Sequence, residues 1–237
     1  MGKEKKQVHP AQRPGWFKGL KTFLKLFIRK PKYVYLGEGF VDTSLILSNH
    51  HGAKGPLALE LYFPKQFRFW GTYEMNSSLK EVYAYLKDIY FYQKKHMKKW
   101  LATIVAFIAC PLLYMFYRGL RLISTYRDFR FKNTLKESVK TLRSNCNLII
   151  FPEDSSNGYF DQMTEFFSGF VSLANYCFRN GMDLPVYVTY LRKKERIFVI
   201  DKPFMWSEMA ALSLSKTEIA QMLLKRCNAL ATVELPE

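Results

Sequence analysis

Alternating apolar strands and amphipathic helices predict a three-layer α/β domain, with a central mostly parallel or mixed sheet flanked by helices. Short apolar runs, such as Leu45-Ile46-Leu47 and the stretch 147–151, end in turns containing Gly or Pro, as buried strands do. Segments of helical periodicity stand between these runs. The 237 residues are 49% hydrophobic and 16% aromatic, which is enough to bury a proper core and excludes a disordered chain. An N-terminal amphipathic helix, expected to lie in a membrane interface, precedes the domain. The chain is therefore divided into a basic tail and interface helix (1–32) and the α/β domain (33–237).

In chain order, residues 1–14 are polar and basic, contain Pro10 and Pro14, and read as a flexible tail. Lys6 stands where a myristoylation motif needs Ser or Thr, and no apolar core with a cleavage site marks a secretory signal. In residues 16–29, Trp16, Phe17, Leu20, Phe23, Leu24, Phe27 and Ile28 recur at helical spacing, with Lys18, Lys21, Lys25 and Arg29 largely opposite. A basic amphipathic helix with Trp and Phe on its apolar face is suited to lie in a bilayer surface. Pro31 ends it.

Strands are expected at 33–36, 40–41 and 44–47, a helix at 57–63, a strand at 67–70 and a helix at 78–89. Residues 100–117 carry no charge and match a membrane-spanning helix in length, with Pro111 inside and Lys94, Lys95, Lys98, Lys99, Arg118 and Arg121 flanking. A single crossing here would separate His50 from everything after Arg118. The segment is therefore expected to be buried in the fold or to dip into one leaflet. A strand at 121–124, a helix at 133–143, a strand at 147–151 and a helix at 164–178 follow, the last stopped by Asn180-Gly181. Strands at 185–190 and 196–200 and a helix at 216–230 complete the chain.

The formal net charge is +16, and ten Lys/Arg against the single acid Glu4 place about +9 of it in the first 32 residues. Such an arm suits an anionic membrane surface at about 1 kcal/mol per basic residue. Nucleic acid is not expected as a partner: no binding motif is present, and the basic residues alternate with a wide apolar face. Cys110, Cys146, Cys177 and Cys227 form no CxxC pair, which excludes a zinc ribbon or disulfide scaffold and suits a reducing compartment. The expected location is the cytoplasmic face of a membrane.

Polar groups gather at four strand-end turns: His50, Tyr73-Glu74, Arg127 and Glu153. Ligands of α/β proteins sit at the carboxyl ends of strands, and His is suited there to proton transfer near neutral pH. Ser155 and Ser156 lack the G-x-S-x-G frame of a hydrolase, and His50 and His51 lack the spacing of a metal site.

Taken in order, Ser48-Asn49-His50, Phe67 to Met75, Leu122 to Arg127, Phe151-Pro152-Glu153-Asp154-Ser155-Ser156 and Leu184 to Val188 resemble the glycerolipid acyltransferase family over about residues 45–190. The best known members of that family acylate lysophosphatidic acid. The resemblance implies an O-acyltransferase of phospholipid biosynthesis that uses acyl-CoA or acyl-carrier protein as co-substrate, needs no cofactor or metal, and takes a lysophospholipid acceptor. It implies His50 as general base, with Arg127, Glu153, Asp154 and Ser155 holding the acceptor.

Two departures stand out. The family's His-x4-Asp motif places its carboxylate five residues past the His, where this chain has Gly55 (or Pro56, counting from His51). Glu60, Glu74 or Asp154 are the candidate replacements, with His51 in support, and a backbone carbonyl holding the ring is the other alternative. Ser156 occupies the place of the family's Arg, so either Lys54 compensates or the acceptor carries no phosphate. The missing carboxylate motivates an alternative, a catalytically silent membrane-binding member of the same fold.

Overall fold

A computed structural model describes residues 9–236. The elements are α1 (Gly15–Leu24), β1 (Lys32–Tyr35), β2 (Leu45–Ser48), α2 (Lys54–Tyr62), β3 (Phe67–Thr72), a 3-10 turn (Tyr73–Asn76) and α3 (Leu79–Ala84), which widens into a π-helix (Tyr85–Lys94). There follow α4 (Lys99–Leu120), β4 (Ile123–Thr125), α5 (Phe131–Leu142), β5 (Asn147–Ile150) and α6 (Gly169–Arg179). The chain ends with β6 (Pro185–Arg192), β7 (Ile197–Ile200), β8 (Phe204–Met205), α7 (Trp206–Ala211) and α8 (Lys216–Ala229).

The eight strands form one mixed sheet in the order β1-β7-β6-β2-β5-β3-β4, with β8 on β6. All pairs are parallel except β6–β7 and β6–β8. The central strands are apolar throughout because both faces are covered. Leu45 and Leu47 of β2 and Leu148 and Ile150 of β5 point into a core shared with α5, α6 and α8. Ile46 and Ile149, one residue out of phase, point into a second core with Phe17, Leu59, Val82, Leu86 and Tyr117 of α1, α2, α3, the π-helix and α4.

Several boundaries differ from expectation. Residues 40–41 are not a strand. The helix expected at 164–178 begins at Gly169, because residues 151–168 are taken up by the turn after β5. The short β8 and α7 lack the length for a periodic signal. The expected tail falls partly outside the described residues, which begin at His9. From there the chain is docked: His9 Nε2 bonds the Ser144 carbonyl at 2.7 Å, and Arg13 is buried. Helix α1 stops at Leu24, short of the expected 29. Phe17, expected on its membrane face, is instead fully buried, its ring 5.3 Å from Phe116. A Cβ on Gly119 would lie 2.0 Å from the Phe17 ring, so the close packing of α1 on α4 requires that glycine.

Helix α4 is not a core helix. Ala102, Ala106, Cys110 and Tyr117 are buried on its inner side, while Trp100, Ile104, Phe107, Ile108, Leu112 and Met115 are 49–74% exposed. Among the described residues it is the one helix long and apolar enough to cross a membrane. It nonetheless lies between β3 and β4, which pair directly in one sheet. Both of its ends thus belong to one folded body.

Candidate active site

Strand β2 ends at Ser48, and the chain then reverses sharply. His51 and Gly52 both take left-handed backbone conformations, with φ of 44° and 66°. This double reversal sets α2 directly against the turn. A Cβ on Gly55 would meet the His50 carbonyl oxygen at 2.6 Å and that of Asn49 at 3.1 Å. The position where the resembled family carries its orienting carboxylate is therefore a point of backbone contact, and only Gly fits. Asn49 is buried and tied to Leu191, accepting from its N–H at 2.7 Å and donating to its carbonyl at 3.3 Å. That anchors the turn to β6.

The His50 ring is partly buried. It stacks on Tyr159 with centroids 4.9 Å apart and meets Phe151 edge-on at 4.9 Å. Its Nδ1 is buried and, among the described residues, has no hydrogen-bond partner. Burial, and secondarily the charge of Lys94, lower the His50 pKa to about 4, against the opposing pull of the nearby backbone of Gly52 and of His50 itself. The imidazole is neutral at neutral pH.

Glu153 comes from the neighbouring strand end. Strand β5 pairs in parallel with β2, so both turns open on the same edge of the sheet. Glu153 accepts the His50 backbone N–H at 3.1 Å. Burial raises its pKa to about 7, partly offset by that hydrogen bond and by Lys94. The following turn is pinned in place: Asp154 N–H donates to the Glu165 carbonyl and Gly158 N–H to that of Ser155. Asp154 in turn accepts from the Ser156 N–H at 2.9 Å and from its hydroxyl. The N–H groups of Asp154, Ser156 and Gly158 are thus already engaged.

Lys94, at the end of the π-helix, reaches into this group. Its Nζ donates to Ser155 Oγ at 2.7 Å and lies 5.7 Å from the centre of the Tyr159 ring. Burial lowers its pKa, opposed by Asp154 and Glu153. π-Helical segments are rare and recur at functional sites. Arg127 lies beyond β4, its guanidinium 5.1 Å from the Phe167 ring centre. It does not contact His50, but its charge helps to hold the Asp154 carboxyl below the usual range, where burial is opposed first by the Ser156 hydrogen bonds.

The other sequence candidates lie apart. His51 turns away, its Nδ1 3.7 Å from Asp161 and its ring against Tyr190. Lys54 is exposed, and its charge bears on His51. Both oxygens of Glu60 are taken by Arg13 and Lys21, and Glu74 accepts from the Thr72 hydroxyl. Among the described residues, no carboxylate is hydrogen-bonded to Nδ1 of the His50 ring. Lys94 and Tyr159 escape sequence reading as site residues. Lys94 stands out only as part of a basic run, and Tyr159 only as an aromatic just past the Glu153 turn.

No protein-family model matches the chain, and no curated protein is similar to it.

Proposed function

We propose that the protein is a membrane-associated O-acyltransferase that moves a fatty acyl group from acyl-CoA or acyl-carrier protein to a lysophospholipid or related hydroxyl. The observation that carries this reading is the juxtaposition of neutral His50, Glu153 and Lys94 at two adjacent strand ends. His50 accepts the proton of the acceptor hydroxyl as its oxygen attacks the thioester carbonyl. The C–O bond forms, the oxyanion collapses, the C–S bond breaks, and the departing thiolate recovers the proton from His50. With three N–H groups of the Glu153 turn already bonded, Lys94 Nζ is the donor best suited to the oxyanion or to an acceptor phosphate. Arg127 supplies a second cation beside Asp154.

A base with a pKa near 4 is a weak proton acceptor. An anionic acceptor paired with Lys94 neutralises one of the charges that hold His50 down, so substrate binding itself strengthens the base. The membrane part of the reading rests on the exposed apolar stripe of α4 and on exposed Trp16, Phe23 and Phe27 beside the lysines of α1. Contiguous apolar surface of this kind marks a membrane or partner site. Because both ends of α4 return to one sheet, an in-plane, one-leaflet seat suits it better than a crossing.

The silent-member alternative draws on two observations: Gly55 stands in the orienting position, and Tyr159 covers the imidazole. The deciding experiment supplies vesicle-bound protein with labelled acyl-CoA and a panel of lysolipids. Acyl ester should form, and His50→Ala should reduce turnover by about 10²–10⁴-fold with fold and vesicle binding intact. Turnover retained in that variant removes the mechanism. Silence of the folded wild type across acceptors favours the alternative.

A further inference from the structure

Near the C-terminal end of α2, away from His50, a second cluster of charge surrounds Glu60. Arg13 donates to both of its oxygens, at 3.0 and 2.7 Å, and Lys21 donates at 2.9 Å. Arg13 and Glu60 are 8% and 1% exposed, so the pair is built into the fold. One carboxylate thus answers two cations. A cavity of about 510 Å³ opens over them and is also lined by Lys18, Lys25 and Lys65. Lys65 is paired with Asp42 at 3.0 Å. Among the described residues, Lys18 and Lys25 have no carboxylate within ion-pair distance.

With the Lys65–Asp42 pair set aside, the wall carries four cations (Arg13, Lys18, Lys21 and Lys25) against one carboxylate, gathered in one concave site that concentrates positive field. Its size is that of a small-molecule pocket. The basic face of α1 lines this cavity through Lys18, Lys21 and Lys25. The unmatched charge favours a doubly charged phosphate monoester over a singly charged headgroup.

We propose that this cavity binds a phosphate monoester, carried on a lipid headgroup or free in solution. The site is separate from His50, and the proposal does not depend on the chemistry there.

The test uses the full chain on phosphatidylcholine vesicles containing phosphatidic acid, and on vesicles containing phosphatidylserine at matched surface charge. Glycerol 3-phosphate in solution is the third probe. The expected result is preference for phosphatidic acid, lost in Lys18→Gln/Lys25→Gln with a roughly 30-fold fall in binding to it. Both side chains are exposed, so the variant is expected to keep its fold, which its melting temperature checks. His50→Ala should keep the preference, so the failure of this proposal and that of the acyl-transfer reading are distinguishable. Stabilisation by glycerol 3-phosphate as large as that by lipid, and lost in the double variant, would support the phosphate site but assign its source to solution. Equal binding to both vesicle types, with no stabilisation by the soluble probe, would leave only diffuse attraction and overturn the proposal. Tighter binding of an oligonucleotide than of either vesicle would also overturn it.

Discussion

Glu60 and Glu153 are both almost wholly buried, at 1% and 6% exposure, yet their surroundings differ. Glu60 accepts three hydrogen bonds from Arg13 and Lys21. Glu153 accepts a backbone N–H from His50, while the nearby ammonium of Lys94 donates to Ser155. Burial without a cation bonded to it pushes Glu153 up to about 7. A buried charge with a full set of partners holds a structure together, whereas buried groups left short of partners mark a place that a ligand completes. His50, with its unpartnered Nδ1, belongs with Glu153.

The largest expected effect on stability lies at Glu60. Removing one member of a buried ion pair strands the others, so Glu60→Ala should destabilise by about 3–5 kcal/mol in chemical denaturation. The residual folded protein should keep its acyl-transfer rate per folded molecule. A rate lost out of proportion to folding would make Glu60 part of the site and erase the contrast.

Gly55→Asp sharpens it next. This substitution restores the His-x4-Asp spacing, but its Cβ would fall 2.6 Å from the His50 carbonyl oxygen. Overpacking of this kind costs about 1–3 kcal/mol. A lower melting temperature with no gain in transfer is expected. Enhanced transfer would show that the turn can accept the family's geometry.

A third effect is one of pH. Glu153 has a folded pKa of about 7 against an ordinary 4.5, so its contribution is full below pH 4.5 and lost as pH rises through 7. His50 runs the other way: its folded pKa of about 4 lies below 6.5, so stability is lost as pH falls from 6.5 toward 4. The slopes oppose each other between 4.5 and 6.5. Glu153→Gln keeps an acceptor for the His50 N–H but removes one slope. Melting temperatures should then rise with pH across that window and exceed the wild type above pH 7. An unchanged profile would mean that Glu153 is ordinarily ionised.

Much of the fold was legible because its signals are local. The runs at Leu45 and Asn147 are apolar on both faces, and Asn180-Gly181 stops α6 where the sequence placed its end. What escaped depends on distant partners. Periodicity showed that α1 has an apolar face, but not that Gly119, far along the chain, leaves a socket for Phe17. It showed α4 to be apolar, but not that only its inner side would be covered. The convergence of the His50 and Glu153 turns followed from reading both as strand ends. The π-helix that brings Lys94 to them has no pattern that distinguishes it from an α-helix.

The central claim is that His50 is a partly buried, neutral base whose proton affinity is set by desolvation and by Lys94. The most direct measurement is an NMR titration of the His50 ring in the full chain, with and without an anionic lysolipid. The account predicts a pKa near 4 in the free protein and an upward shift when the acceptor is bound. A value near 6.5 that ignores the acceptor would contradict it.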